Sequence, residues 1–333
     1  MATSPQPPVR GLQAVEQDRI ARKGFPKIPP RFWLWVFTVL AVWAIVYWKY
    51  TQGQLESWRN RIMARQRAVA AELGPRYFPL RDRIESWVVE DAGNYPGDFV
   101  DPEASKSDFR SRPGIYLRLF IDDAHSPDAI RAAALESLRD GFTSCLTRAN
   151  NPDPFSGPTC RFNHECPQGQ HCNEVSHCSV PAQPYNLRIA YRATRVLTES
   201  WVRDVREAGS DMRLRLLERD FDSAVSDDIP LAIDLIVRAQ YFLLVLDEPA
   251  APGTAVPDAG TRSEALQAVE HPTRVFIYDL KQNKLLLRMR ASIAAEVGTA
   301  ATDPRTVLAV RRQANNCALA LAVRRMLGDQ GVE

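Results

Sequence analysis

The chain has 333 residues, with 42 Lys and Arg against 40 Asp and Glu, a net charge of +2. Residues 1–50 hold seven basic and two acidic side chains, whereas the remainder holds 35 and 38. A nucleic-acid binder needs a basic excess on its folded part to replace phosphate counterions. The net-acidic body of this chain argues against that class and predicts no nucleic-acid partner.

Residues 1–31 are polar and carry Pro5, Pro7, Pro8, Pro26, Pro29 and Pro30. Such a composition buries too little apolar surface to fold and reads as a disordered cytoplasmic tail. Phe32 to Trp48 follows, 17 residues without a charge, closed by Arg31 and Lys49. As a helix it covers roughly 25 Å, the short end of what a bilayer core requires. Trp33 and Trp35 stand near one end, Trp43 inside, and Tyr47, Trp48 and Tyr50 at the other. Aromatic rings so placed match the headgroup belts of a spanning helix, and Arg31 and Lys49 can snorkel outward. A signal peptide is the competing reading, but no small-x-small cleavage site follows Trp48 and the leading region is long. The expectation is a single-pass anchor over 32–50. Arg10, Arg19, Arg22, Lys23, Lys27 and Arg31 lean toward a cytoplasmic N-terminus against the basic flank Lys49, Arg59, Arg61, Arg65 and Arg67.

Gln54 to Leu73 reads as a helix stopped by Gly74-Pro75, and Leu80 to Glu90 as a second, together a helical stalk over 51–92. Residues 93–112 read as a linker, punctuated by Pro96, Gly97 and Pro102. A compact domain is expected over 113–328. Ile115 to Ile121 alternates as a strand. Ser126-Pro127-Asp128 opens a helix that runs to about Arg148. A cysteine-rich insertion occupies 150–184. Asn186 to Ala208 reads as one long helix ended by Gly209, followed by helices over Met212–Ala224 and Asp227–Gln240, with Pro230 early in the latter. Tyr241 to Leu246 is a buried strand and Pro249 to Gly260 a loop. Arg274 to Tyr278 and Leu285 to Met289 form a hairpin with Gln282-Asn283 at its turn. Asp303-Pro304 opens a closing helix to Leu327, before Gly328. The sum is α+β: about four strands in a small, mostly antiparallel sheet, with several helices on one face.

Cys160, Cys166, Cys172 and Cys178 stand at even spacing in a segment almost without apolar residues, which cannot hold itself together by burial. Disulfides are the usual remedy, and four cysteines allow three connectivities. His164, His171 and His177 lie among them, so structural zinc at residues 160–178 is the alternative. Zinc knuckles, however, take pairs two to four residues apart, and these gaps are five. The run Glu165-Cys166-Pro167-x-Gly169-x-x-Cys172 resembles the small extracellular cysteine-rich module of the Dickkopf type, over about 19 residues. That resemblance implies a disulfide-bonded surface element and no particular activity. Cys145 and Cys317 each fall on the apolar face of a helix, either as small buried hydrophobes or as a third bridge.

The chain carries no Gly-rich phosphate loop, no Gly-x-Ser-x-Gly, no His-Glu-x-x-His and no Ser-x-x-Lys. Asp122, Asp123 and His125 follow a strand and form a weak candidate metal site; as a polar turn before a helix they need no metal. If Asp247-Glu248 ended a neighbouring strand, an acidic cluster could form. The reading of the whole is a non-enzymatic binding module of the cell envelope, without a cofactor. It is anchored in the inner membrane, its domain is extracytoplasmic, and its partners are the membrane and an envelope protein. A metal-dependent enzyme using Asp122, Asp123 and His125, or a cytoplasm-facing zinc module, are the alternatives.

Overall fold

The computed structural model describes residues 29–106, 112–137, 140–147, 155, 157–167, 170–173, 175–180, 183–258, 260–295 and 303–328. The tail expected over 1–31 lies almost wholly outside the described residues. The chain divides into two units, Met1–Trp58 and Arg59–Glu333.

The described residues of the first unit belong almost entirely to helix α1 (Pro30–Asp91), whose later part belongs to the second unit. Between Phe32 and Tyr50 the large apolar side chains are exposed, Trp35 at 71% and Leu34 at 69%. Burial inside the protein therefore does not explain their apolar character. Among the described residues this is the one helix long and apolar enough to cross a membrane.

In the second unit α1 continues through Gly74-Pro75, where the sequence predicted a break. Pro75 and Pro79 each remove a backbone donor, which in a helix interior costs about 3 kcal/mol. The carbonyls they orphan belong to Ala71 and Pro75, and both residues are exposed, so water can satisfy them. Ile62 and Gln66 before the prolines, Tyr77 between them, and Ile84 and Val88 after them are all buried. Packing on both sides thus holds the helix together. Of the helical stalk expected over 51–92, the part from Arg59 onward belongs to the second unit.

The sheet has six strands: β1 (Phe99–Val100), β2 (Gly114–Phe120), β5 (Tyr185–Asn186), β6 (Tyr241–Asp247), β7 (Pro272–Asp279) and β8 (Lys284–Ser292). Their order is β1-β8-β7-β6-β2-β5. β2 runs parallel to both β5 and β6, and the other pairs are antiparallel. The sheet is therefore mixed and larger than the four strands expected. The additions, β1 and β5, have two residues each and exist only through their partners. β1 falls inside the stretch expected to be a linker.

Helices cover both faces, which corrects the expectation of one. On one face Tyr116, Leu243, Val245, Val275, Ile277, Leu287 and Met289 meet helices α3 (Gly141–Thr147) and α9 (Pro304–Met326), which contribute Phe142, Leu146, Leu319, Ala320 and Val323. On the other face Trp87 of α1 stacks against Phe242 and Tyr278. Burial on both sides explains why β6 reads as an unbroken apolar run. Each aliphatic or phenylalanine side chain from Phe242 to Leu246 contributes about 1.5–3 kcal/mol by leaving water.

The remaining helices are α2 (Pro127–Ala134), α4 (Leu187–Thr194), α5 (Glu199–Glu207), α6 (Asp211–Ser223), α7 (Ile229–Arg238) and α8 (Arg262–Leu266). Several begin at a side-chain cap legible in sequence. Ser126 accepts from Ala129 N, Ser210 from Arg213 N and Asp303 from Thr306 N. The same chemistry breaks two helices expected to be continuous. Asp140 accepts from Thr143 N and starts α3 afresh, and Thr198 accepts from Trp201 N and separates α5 from α4. Conversely, α6 and α7 are joined by a π-helical turn, Ala224–Asp228, in which Ile229 N–H reaches back to Ala224 O. The wider turn precedes Pro230, which has no N–H to continue the ordinary pattern.

Candidate functional site

Strand β2 carries one charged residue, Arg118, in an otherwise apolar run, and it is 4% exposed. Its Nε and Nη2 donate to Asp247 Oδ2 and Oδ1 at 2.8 and 2.7 Å. Its Nη1 donates to Asp140 Oδ2 at 2.8 Å and to Asn316 Oδ1 at 2.7 Å. The parallel pairing of β2 with β6 makes this possible, since Phe120 lies opposite Asp247 and both strands end together. Tyr116 OH donates to Asp140 at 2.6 Å. Asn316 Nδ2 donates to Gln267 Oε1 at 2.9 Å.

Asp247 is fully buried and also meets Ser263 Oγ and His271 Nε2, the latter at 2.9 Å. Burial alone would push its carboxyl up. The Arg118 guanidinium and the hydrogen bonds from His271 and Arg118 outweigh that, and the group sits well below the ordinary carboxylate range. Burial likewise works against the Arg118 charge, but Asp247 and Asp140 hold its pKa well above the usual value. Both ions are thus firmly charged at neutral pH.

The trio Ser263, Asp247 and His271 does not form a nucleophilic triad. Ser263 donates to the carboxylate rather than to the imidazole, so no base withdraws its proton. His271 Nδ1 is occupied by Val269 O at 3.0 Å. Beside the network lies a cavity of about 50 Å³ lined by residues that include Arg118, Phe120, Asp123, Ser137, Arg262 and Gln267. That is room for one or two waters, far short of the several hundred Å³ of an ordinary ligand pocket.

Asp122, Asp123 and His125 lie on and just after a single 3₁₀ turn, Ile121–Ala124, that follows β2. Asp122 and His125 are exposed, and Asp122 faces Arg262 Nη1 at 3.5 Å. The Arg262 guanidinium lies 3.6 Å over the Phe120 ring. Asp123 borders the small cavity. The acidic cluster imagined with Asp247-Glu248 does not form, although the strand ends do lie side by side. Asp247 turns to Arg118, and Glu248 turns to the opposite face, where it meets Arg274 and Arg290. Among the described residues, the one group of three possible ligands that converges is Cys160, Cys166 and Cys178.

Those sulfurs are in disulfides: Cys160–Cys172 and Cys166–Cys178, with Cys145–Cys317 as the third bridge. A disulfide sulfur is not the thiolate that binds zinc. The two module bridges interlock around a small ribbon, β3 (His171–Cys172) and β4 (Cys178–Ser179). Gly157 lies so close to the Cys178 carbonyl that a Cβ there would overlap it. The three histidines do not converge. His164 Nδ1 meets Asp227 Oδ1 at 2.6 Å, His171 Nδ1 meets Ser179 O at 2.9 Å, and His177 Nδ1 meets Gly157 O at 2.8 Å. Phe155, Phe162, Val175 and Val180 of this segment are exposed, at 62, 52, 42 and 51%.

No protein-family model, curated protein or solved structure matches the chain. The site must therefore be read from its chemistry alone. The sequence signal for the buried network was present but small: one arginine inside Ile-Tyr-Leu-Arg-Leu-Phe-Ile, and an aspartate ending the apolar run of β6. Asp140, Asn316 and Gln267 join it only through the fold.

Proposed function

We propose that this protein is a membrane-anchored, extracytoplasmic module that binds a protein partner of the cell envelope rather than catalysing a reaction. One combination carries the reading: an exposed, uncharged, aromatic-flanked helix and three closed disulfides in a single chain. The helix needs an apolar surrounding, and the disulfides need an oxidising one. An anchor with its domain outside the cytoplasm satisfies both.

The binding reading is supported by what the polar groups do. The central buried network is saturated by its own partners, and the adjoining cavity is too small for an organic substrate. The exposed apolar side chains of the second unit include four on the stapled module. Rigid apolar groups held out by a covalent frame suit protein recognition, because little side-chain and loop entropy is lost on docking.

The test is a free-thiol count. The protein is alkylated in its native membrane under denaturing, non-reducing conditions and weighed before and after reduction. Zero to two free thiols are expected. Four or six would place the domain in a reducing compartment and overturn the reading. Alkaline carbonate extraction should leave the chain in the membrane pellet; its release would remove the anchor.

A further inference from the structure

The three disulfides differ in surroundings. Each bridge of the module joins a half-buried end, Cys172 or Cys166, to a deeply buried one, Cys160 at 5% or Cys178 at 1%, so attack on the outer sulfur must expel the electron pair onto a buried atom. Cys145 and Cys317 are both only half-buried. An attacking thiolate must approach a sulfur atom directly, so access sets which bridge opens first.

A polar group is also in place for the departing sulfur. Gln313 Nε2 lies 3.3 Å from Cys317 Sγ and 3.8 Å from Cys145 Sγ. Its side chain rests on Gly141, where any Cβ would collide with it. An N–H donor beside a sulfur stabilises it as thiolate and lowers its pKa, which makes it the better leaving group. The shorter contact assigns that role to Cys317.

The bridge also has mechanical significance. From Arg305 to Ala314, α9 has exposed or half-exposed side chains throughout, and buried anchors begin at Asn315. Cys317 stands at that boundary and ties the helix to α3. We infer that Cys145–Cys317 is a thiol-exchange site opened by a dithiol, and that opening it loosens the first half of α9 while the sheet stays folded. One thiolate of the dithiol attacks Cys145 Sγ. The sulfur–sulfur bond breaks and its electron pair leaves on Cys317 Sγ, which accepts the Gln313 N–H. The second thiol of the dithiol then displaces Cys145 from the mixed disulfide. The products are the oxidised dithiol and two cysteine thiols, which take up its two protons. The inference does not depend on the membrane reading.

The experiment treats the full chain in detergent micelles, without denaturant, with graded dithiothreitol. Thiols are trapped by alkylation and assigned by peptide mass spectrometry. Cys145 and Cys317 should open at a concentration at least tenfold below that needed for Cys160, Cys166, Cys172 and Cys178. A module bridge opening first, or all three opening together, overturns the inference. Hydrogen exchange at that concentration should rise over residues 304–314 and stay low over 315–326; an unchanged 304–314 segment refutes the loosening. Gln313→Ala should slow opening by about threefold for each unit by which the Cys317 thiol pKa rises. An unchanged rate in a variant with unaltered circular dichroism removes Gln313 from the mechanism.

Discussion

Trp87 lies flat on Tyr278, with ring centroids 4.3 Å apart and planes 5° from parallel. One turn further along α1, Asp91 accepts the Tyr278 hydroxyl at 2.8 and 3.0 Å. A helix end and a strand are thus joined by stacking and by a buried hydrogen bond. Arg274 reinforces the joint by donating to the carbonyls of Asp91 and Gly93 at 2.9 and 2.6 Å.

That joint makes stability depend on pH. Burial pushes the Asp91 carboxyl up to about 7, against the lowering effect of the Tyr278 hydrogen bond. Between the ordinary value of about 4 and 7, the folded chain holds a proton that the unfolded chain has released. The contribution of this group to stability is therefore complete below pH 4 and declines as pH rises toward 7. Asp91→Asn should flatten this part of the profile and raise stability at pH 8 by up to about 4 kcal/mol. Urea unfolding at pH 5 and pH 8 measures it; a variant that is no more stable than the parent at pH 8 contradicts the assignment.

Arg118→Leu should cost about 3–5 kcal/mol, because it leaves Asp140 and Asp247 charged in the interior without their guanidinium. The triple variant with Asp140→Asn and Asp247→Asn should recover part of the loss. Denaturant midpoints of both variants decide the matter. A single variant that unfolds like the parent would mean that water reaches the network.

Cys160→Ser with Cys172→Ser removes a bridge that closes a separation of 12 residues, contributing roughly 3 kcal/mol to the module. With its large apolar side chains pointing outward, the module is then held by the Cys166–Cys178 bridge and a few hydrogen bonds. Exchange protection over the described residues between 157 and 180 should fall while β6 and β7 remain protected. Unchanged protection would show that the remaining bridge, with the contacts of His164 and Asn163 to Asp227 and Asp228, suffices.

Val39→Arg puts a charge in the middle of the apolar run, at a cost of about 2.5–3.5 kcal/mol for insertion. The membrane-bound fraction should fall, and Ser57→Arg, outside the run, should leave it unchanged. Fractionation of cells expressing each variant measures both. Equal retention of all three proteins argues that something other than this helix provides the anchor.

Local signals account for what the sequence revealed. The cap residues Ser126 and Asp303 and the apolar runs of β2 and β6 are written in neighbouring residues. So is the turn before Lys284, where Asn283 adopts the left-handed backbone at φ 56°. What escaped was decided across the fold. Phe99 and Tyr185 become strand residues only because Arg288 and Ile115 stand opposite them. Pro75 would end an isolated helix, and only the burial of residues on both sides carries α1 past it. Arg118 announces a buried charge, but its partners Asp247 and Asn316 lie 129 and 198 residues away. The cysteine loop sits between these cases: its disulfides follow from composition, but their pairing required coordinates.

Cys145 and Cys317 are 172 residues apart, so their bond turns more than half of the chain into a covalent ring. The cysteine module, four of the six sheet strands and the exposed loop from Pro249 to Asp258 all lie within it. A protease that cuts this loop breaks the backbone but releases nothing. The two pieces stay one particle, distinguishable from the intact protein on a gel only after reduction.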